Sequence, residues 1–188
     1  MVHMDDMTHR RAVSPVIATV ILIAVAVAIG IAVAFWASGL TTSFSKYEQL
    51  GISAGWATKT ASGSTTVSVG STTSPTAATT GDWIVALQGT NTGSSAATLN
   101  QLQANGVPLT FSSTTTSFSS GGQWVAYVAA PGSSSYSQVT SGNPTVVQGG
   151  SFIIFVDLQA SKYASGQTVE IALISASGTN YPKAIQLP

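Results

Sequence analysis

One run constrains this chain more than any other. Val13–Ala37 reads VSPVIATVILIAVAVAIGIAVAFWA, and no charge interrupts its 25 residues. Ser14 and Thr19 are its polar members. About 20 apolar residues cross a bilayer core as a helix, and at 1.5 Å rise per residue this run reaches about 37 Å. The run therefore predicts a helix of membrane length. Ser14 suits the N-cap, and Pro15 suits the first helical position, where no backbone N–H is needed. The positive-inside rule puts Arg10 and Arg11 in the cytoplasm and everything after Leu40 outside. Gly39 and Thr41–Lys46 mark the exit from lipid, with the helix extending to about Leu50. An ordinary secretory signal has a shorter apolar stretch with a small-x-small cut site after it, so a retained helix is expected.

Residues at i and i+4 share a strip of helix surface. Ile17, Ile21, Val25, Ile29 and Val33 form one bulky row, and Thr19, Ile23, Val27, Ile31 and Phe35 form another on roughly the opposite side. Between them run Ala18, Leu22, Ala26, Gly30, Ala34 and Val20, Ala24, Ala28, Ala32, Trp36, rows dominated by small residues. Ridges alternating with grooves suit a helix packed by other helices on all sides. The plainer alternative is an Ala-rich single-pass anchor.

From Gly51 the pattern changes to period two. Ile52, Ala54, Trp56 and Thr58 alternate with smaller or polar residues, Ala61–Ser64 reads as a turn, and Thr65–Gly70 returns as a strand. Further strands are expected at Trp83–Gln88, Ala96–Ala104, Val107–Phe111, Gln123–Ala129, Thr145–Gln148, Ser151–Leu158, Gln167–Ser175 and Pro182–Leu187. Asn105-Gly106 is a strong hairpin signal. Ser71–Gly81, Ser112–Gly122 and Ser133–Pro144 read as loops. About eight or nine short strands at this spacing predict an antiparallel β-sandwich of immunoglobulin-like type, and with the helix an α+β chain. Trp83, Val85, Leu87, Leu99, Leu102, Trp124, Ile153, Phe155, Ile171 and Leu173 are the expected core.

Composition excludes several function classes. Only 6% of residues are charged, and six basic residues balance six acidic ones, where about 25% charged is usual. Such a chain has no electrostatic footprint for nucleic acid. It has no Cys, hence no disulfide, thiolate metal site or Cys nucleophile. Both His, His3 and His9, precede the helix, which excludes a Ser-His-Asp triad from the helix and from everything C-terminal to it. Beyond Ala12 the acids are Glu48, Asp82, Asp157 and Glu170, and the bases are Lys46, Lys59, Lys162 and Lys183. A paired-carboxylate hydrolase from Asp82, Asp157 and Glu170 is conceivable, but solvated charge or a turn cap is the ordinary reading. Asp157 is set apart because it interrupts an apolar run. Lys46-Tyr47-Glu48 reads as a solvated junction, with helix-surface contacts as the alternative. No phosphate loop, zinc spacing or calcium loop occurs, so no catalytic residue, metal ligand or cofactor is expected. No Asn begins an acceptor for N-linked sugar, since Asn143-Pro144-Thr145 is disqualified by its Pro. The 27 Ser and 24 Thr leave the loops open to O-linked sugars, and a surface so poor in charge favours self-association.

A charged leader ending in Arg10-Arg11-Ala12, followed directly by Val13-Ser14-Pro15-Val16-Ile17-Ala18-Thr19-Val20-Ile21-Leu22, resembles the class III signal of archaeal type IV pilin-like proteins. The match covers about forty residues. It implies that a prepilin peptidase removes Met1–Ala12 on the cytoplasmic side, cutting between Ala12 and Val13, with a cut after Arg11 as the alternative. It also implies that the helix at 13–50 first anchors the subunit in the membrane and then forms a filament core. Residues 51–188 would be the head. Nothing acidic follows Ala12 until Glu48, unlike bacterial pilins, which carry a Glu near the mature start. Archaellins usually begin with a Gly-rich run, and the Ser-Pro-Val-Ile start here looks more like adhesive pilins. The segment Trp83–Leu109 is also similar, more weakly, to archaeal pilin heads.

The implied function is a structural subunit of an adhesive pilus on the cell surface, with itself, the peptidase, the assembly machinery and, before assembly, the membrane as partners. Filament-core packing would fall to Ala24, Ala26, Ala28, Gly30, Ala32 and Ala34, with Ile29, Val33, Phe35 and Trp36. An archaellin, or a surface binding module held by one helix, is the alternative; an enzyme is not expected. N-terminal sequencing of the subunit from native surface filaments should begin at Val13. A filament subunit that still begins at Met1 would refute the processing.

Overall fold

The computed structural model describes residues 14–44, 46–61, 66–113 and 116–188. Arg10, Arg11, Ala12 and Val13, and the expected turn over most of Ala61–Ser64, lie outside the described residues. The chain divides into two units between Ser45 and Lys46.

The first unit is one helix, α1 (Pro15–Phe44), of 30 residues. Ser14 precedes it, and the Ser14 carbonyl accepts the first helical hydrogen bond from the Ala18 N–H at 3.1 Å. The helix stops at Phe44, and Leu50 opens a strand instead of closing the helix. Gly39 and the pair Thr41-Thr42 are poor helix formers on the approach to this end.

The second unit is a β-domain with twelve strands among its described residues. They are β1 (Leu50–Lys59), β2 (Ser68–Val69), β3 (Thr72–Thr73), β4 (Trp83–Asn91), β5 (Ala97–Ala104), β6 (Val107–Phe111), β7 (Gln123–Ala129), β8 (Ser137–Gln138), β9 (Thr145–Val146), β10 (Ser151–Leu158), β11 (Thr168–Ser175) and β12 (Asn180–Gln186). The main sheet runs β1-β4-β10-β7-β6-β5-β11-β12, with β8 on β7 and β9 on β5. Its pairings are antiparallel except for β6 beside β7, joined in parallel through Thr110–Gln123 and Phe111–Trp124. β6 is thus the hinge strand. Its first half pairs with β5, and its last two residues pair with β7. The sheet folds over at β6 and encloses a core, and its two ends nearly meet: a Cβ at Gly55 on β1 would lie 3.1 Å from Ile185 Cδ1 on β12. This is the expected sandwich, closed almost to a barrel.

The enclosed core holds Trp83, Val85 and Leu87 of β4, Phe152, Ile154, Val156 and Leu158 of β10, and Trp124 of β7. From the other half come Leu99, Leu102, Ile171, Leu173 and Ile185. Successive strand residues point to opposite faces. In β4, β7 and β10 the alternate residues are buried too: Ile84 and Ala86, Val125 and Tyr127, Ile153 and Phe155. They form a second core on the outer face, roofed by Val67, Val69 and Phe118, with Trp56 and Tyr136 packed against it. Ile153 and Phe155 are therefore core residues, but of the second layer. Burial on both faces is why WIVALQ and FIIFVDL read as continuous apolar runs. The roof explains two sequence expectations that shift. Ser71–Gly81 contains strand β3, and the expected Thr65–Gly70 strand contracts to β2; together they make a short hairpin.

Asn105-Gly106 makes the β5–β6 turn with both residues at positive φ, 48° and 79°, as a two-residue hairpin requires. Gly89 serves another purpose. A Cβ there would sit 2.4 Å from both the Gly51 carbonyl oxygen and Phe152 Cζ, so β4 is smooth where β1 and the Phe152 ring press on it. Gly89→Ala should destabilise the β-domain by about 1–3 kcal/mol through overpacking. Gly51→Ala, whose Cβ would meet nothing closer than 3.7 Å, should be near neutral. Paired thermal melts check both.

Candidate functional site

The candidate assembly site is the surface of α1. Pro15–Leu40 is long and apolar enough to cross a membrane, and none of its most apolar stretch is buried within the chain. Val16, Ile17, Val20, Leu22, Ile29, Val33, Phe35 and Trp36 are each more than half exposed. The apolar surface goes all the way round, so no face is reserved for water. The two polar groups described on it are satisfied locally: the Thr19 hydroxyl donates to the Val16 carbonyl at 2.8 Å and the Ser38 hydroxyl to the Phe35 carbonyl at 2.9 Å. Such back-bonding lets a hydroxyl sit in a dry environment. Ala24, Ala26, Ala28, Gly30, Ala32 and Ala34 lie on this surface. A Cβ at Gly30 would meet nothing within 4 Å. Shallow grooves open at Ala18, flanked by Ile21, Leu22 and Val25, and at Ala34, flanked by Ile31 and Phe35.

The β-domain begins with a bonded neck at residues 47–49: the junction expected to be solvated is exposed at Lys46 and Tyr47 and half-buried at Glu48, and it is also hydrogen-bonded to the domain. The Tyr47 N–H donates to Ser94 Oγ at 3.0 Å, and the Tyr47 carbonyl accepts from the N–H groups of Ser94 and Ser95. The Gln49 carbonyl accepts from the N–H groups of Thr92 and Gly93. The Ser177 hydroxyl donates to Glu48 Oε2 at 2.7 Å, and the Tyr181 hydroxyl donates to the Glu48 carbonyl at 3.2 Å. Residues 47–49 are thus tied to two loops, 91–95 and 175–181. Gly93 permits this approach, since a Cβ there would fall 2.5 Å from the Gln49 nitrogen and 2.6 Å from the Tyr47 oxygen. Asn91 braces the first loop: its side-chain amide donates to the Ser95 and Val146 carbonyls, and its Oδ1 accepts from the Gly93 N–H. The Asn91-Thr92-Gly93 turn signal is visible in sequence; its partner segment is not.

Two acids are also placed otherwise than as solvated charge. Asp82 and Asp157 are buried. Asp82 Oδ1 accepts from the Ala160 N–H at 2.9 Å, and Asp157 Oδ2 accepts from the Ala78 N–H at 2.8 Å. The other oxygen of each has no hydrogen-bond partner among the described residues. Each carboxylate therefore ties a loop to the sheet, which keeps the turn-cap half of the expectation and discards the surface half. Burial raises the Asp157 pKa from 3.8 to about 6, against the Ala78 hydrogen bond, which lowers it; the nearby Asp82 charge raises it further. No group of three or more metal-ligating acids or histidines occurs among the described residues.

No family model matches the chain, and no curated protein matches it. Among solved structures it is similar to the Iho670 flagellar-like filament, at 15% identity and a TM-score of 0.37, over 93% of this chain and 98% of that one. What the chain does has to be read from its own geometry.

The Asp157 proton is held more tightly in the folded state than in the unfolded chain. The associated stability is fully present below about pH 4 and is lost as pH rises through about 6. Asp157→Asn keeps an oxygen for the Ala78 N–H and removes the titration. It should melt higher than the parent at pH 7.5, with the gap closing toward pH 4. A gap that is constant with pH would place the charge elsewhere.

Proposed function

We propose that this protein is a pilin-like filament subunit: a membrane precursor whose helix α1 becomes, after removal of Met1–Ala12 by a prepilin peptidase, the packing element of a helical homopolymer outside the cell. The observation that carries this reading is the helix itself, apolar on every face and unburied along Pro15–Leu40, in a chain whose β-domain already has its own two cores. The domain needs nothing from the helix to bury its apolar residues. The helix needs cover that the described chain does not supply.

A membrane supplies that cover first, and neighbouring copies of the same helix supply it in the filament. The small rows Ala24-Ala28-Ala32 and Ala26-Gly30-Ala34 would receive the ridges Ile29-Val33 and Phe35 of neighbours, with Trp36 closing the outer end. The Ser/Thr-rich, charge-poor β-domain would form the filament wall. Its exterior suits contact through hydrogen bonds and sugars, which supports an adhesive pilus over a swimming filament. The neck tied through Glu48 and Gly93 would let the head bear load from its first residues onward.

The alternatives are separated by loading the grooves. Gly30→Leu and Ala28→Phe should each overfill a tight helix interface at a cost of about 1–3 kcal/mol per site, repeated in every subunit. Filament counts per cell should fall sharply while membrane-fraction subunit stays at parental level. Normal filaments from both variants would mean that the helix only anchors a surface binding module.

A further inference from the structure

The β-domain holds a cavity of roughly 410 Å³ where β6 crosses from one half of the sheet to the other. Its walls come from three separate segments: β6, the Gly121-Gly122 loop ahead of β7, and the turn after β10 that carries Gln159, Lys162 and Tyr163. These walls are bonded to one another. The Thr110 N–H donates to the Gly122 carbonyl at 3.0 Å, and the Gly122 N–H to the Asp157 carbonyl at 2.8 Å. The N–H groups of Lys162 and Tyr163 both donate to the Gln159 carbonyl, at 3.0 and 3.1 Å. Trp83 Nε1 donates to the Tyr163 carbonyl at 2.9 Å and anchors the turn to the core. Gly121 makes room for Gln159, since a Cβ there would lie 2.1 Å from Gln159 Cγ. The cavity is therefore preformed, which lowers the ordering cost of binding.

The chemistry of its lining is mixed. Val107, Pro108 and Leu109 supply an apolar wall. Among the described residues, the Thr110 hydroxyl, the Gln159 amide, the Lys162 ammonium and the Tyr163 hydroxyl have no protein hydrogen-bond or ion-pair partner. A site of this size with an apolar wall and a few convergent polar groups fits a small ligand. One cation with no carboxylate in the lining calls for an anionic group on that ligand. The amide and hydroxyls call for several hydroxyls or carbonyls, and Pro108 and Leu109 for a C–H face. We propose that this cavity binds a uronic acid unit of an acidic polysaccharide, its carboxylate on Lys162, its hydroxyls on Gln159 and Thr110, and its ring face on the Pro108–Leu109 wall. A bare inorganic anion would leave the apolar wall unused, and a neutral sugar would draw nothing from the Lys162 charge. The site needs no filament, so its failure or success is independent of the assembly reading.

The full chain in detergent micelles can be titrated calorimetrically with trigalacturonate, maltotriose and acetate. Saturable binding of trigalacturonate is expected, with maltotriose and acetate each at least about tenfold weaker. Lys162→Gln should lower trigalacturonate affinity about tenfold or more, as loss of a charge-assisted hydrogen bond does, and leave the melting temperature unchanged because Lys162 is exposed. Gln159→Ala should weaken both sugars. No saturable uptake of trigalacturonate by the folded parent would overturn the site. So would acetate binding as well as the uronate, or affinity indifferent to both substitutions.

Discussion

Everything in this molecule turns on apolar helix surface that the chain itself does not cover. Fourteen large apolar side chains between Val16 and Leu40 are exposed on α1. Each is worth about 1.5–3 kcal/mol when moved fully out of water, so their sum is on the order of 20 kcal/mol or more. That exceeds the roughly 5–15 kcal/mol by which whole domains are stable. Such a helix does not persist bare in water. Lipid covers it equally well on every side, and so does a bundle of its own kind. The second cover adds a requirement that the first does not: shape. Liquid tails adapt to any side chain, whereas a helix packed by helices needs grooves for its neighbours' ridges. The alternation of Ala-rich rows with Ile/Val rows matters only under that second condition.

The β-domain solves the opposite problem. With so few charges it relies on steric fit, turn chemistry and hydrogen bonds for its specificity. Gly89 and Gly93 mark places where another backbone or ring comes closer than any Cβ allows. Asn91, through three hydrogen bonds, and the two buried carboxylates, through one each, tie loops to strands. Asp157 keeps a buried oxygen unpaired, a local cost the fold accepts in holding the Ala78 segment over the second core. The Trp124 indole nitrogen likewise has no partner among the described residues, while its ring packs edge-on against Phe111 at 4.9 Å.

Much of this is legible in one dimension because it depends on local pattern. The uncharged run, the Ser14-Pro15 start, the Asn105-Gly106 hairpin and the inward residues of β4 follow from composition, capping and turn chemistry, whereas in β10 the expected Ile153 and Phe155 face the second core. What stays illegible depends on distant segments meeting. Val67, Val69 and Phe118 roof a second core from inside Ser/Thr-rich stretches; the alternation at Val67 and Val69 reads as a strand, but nothing local shows which face it covers. Asp82 and Asp157 are far apart in sequence from the N–H groups they accept. The neck residues stay largely exposed, and nothing local in the sequence shows that Ser94, Ser177 and Tyr181 bond to them. The cavity is the extreme case, since its three walls are separated in sequence and none carries a motif. The continuous runs WIVALQ and FIIFVDL hold the one clue that is present, because a strand with a solvated face alternates and these do not.

Charge scarcity links the two units. Identical copies brought side by side, as in a filament, place every surface charge near its own duplicates, and like charges at close range are costly. A neutral Ser/Thr exterior removes that repulsion and still offers hydrogen bonds. Several of the charges that remain have an evident role. Glu48 accepts from Ser177, Lys59 lies 5.1 Å above the Trp83 ring, and Asp82 and Asp157 are withdrawn from the surface. Lys162 is left beside a preformed cavity without a partner in the described chain. Other charges, Lys46 and Glu170 among them, are exposed as well, so it is the place of Lys162 in the cavity lining, more than the scarcity of charge, that makes its ammonium informative.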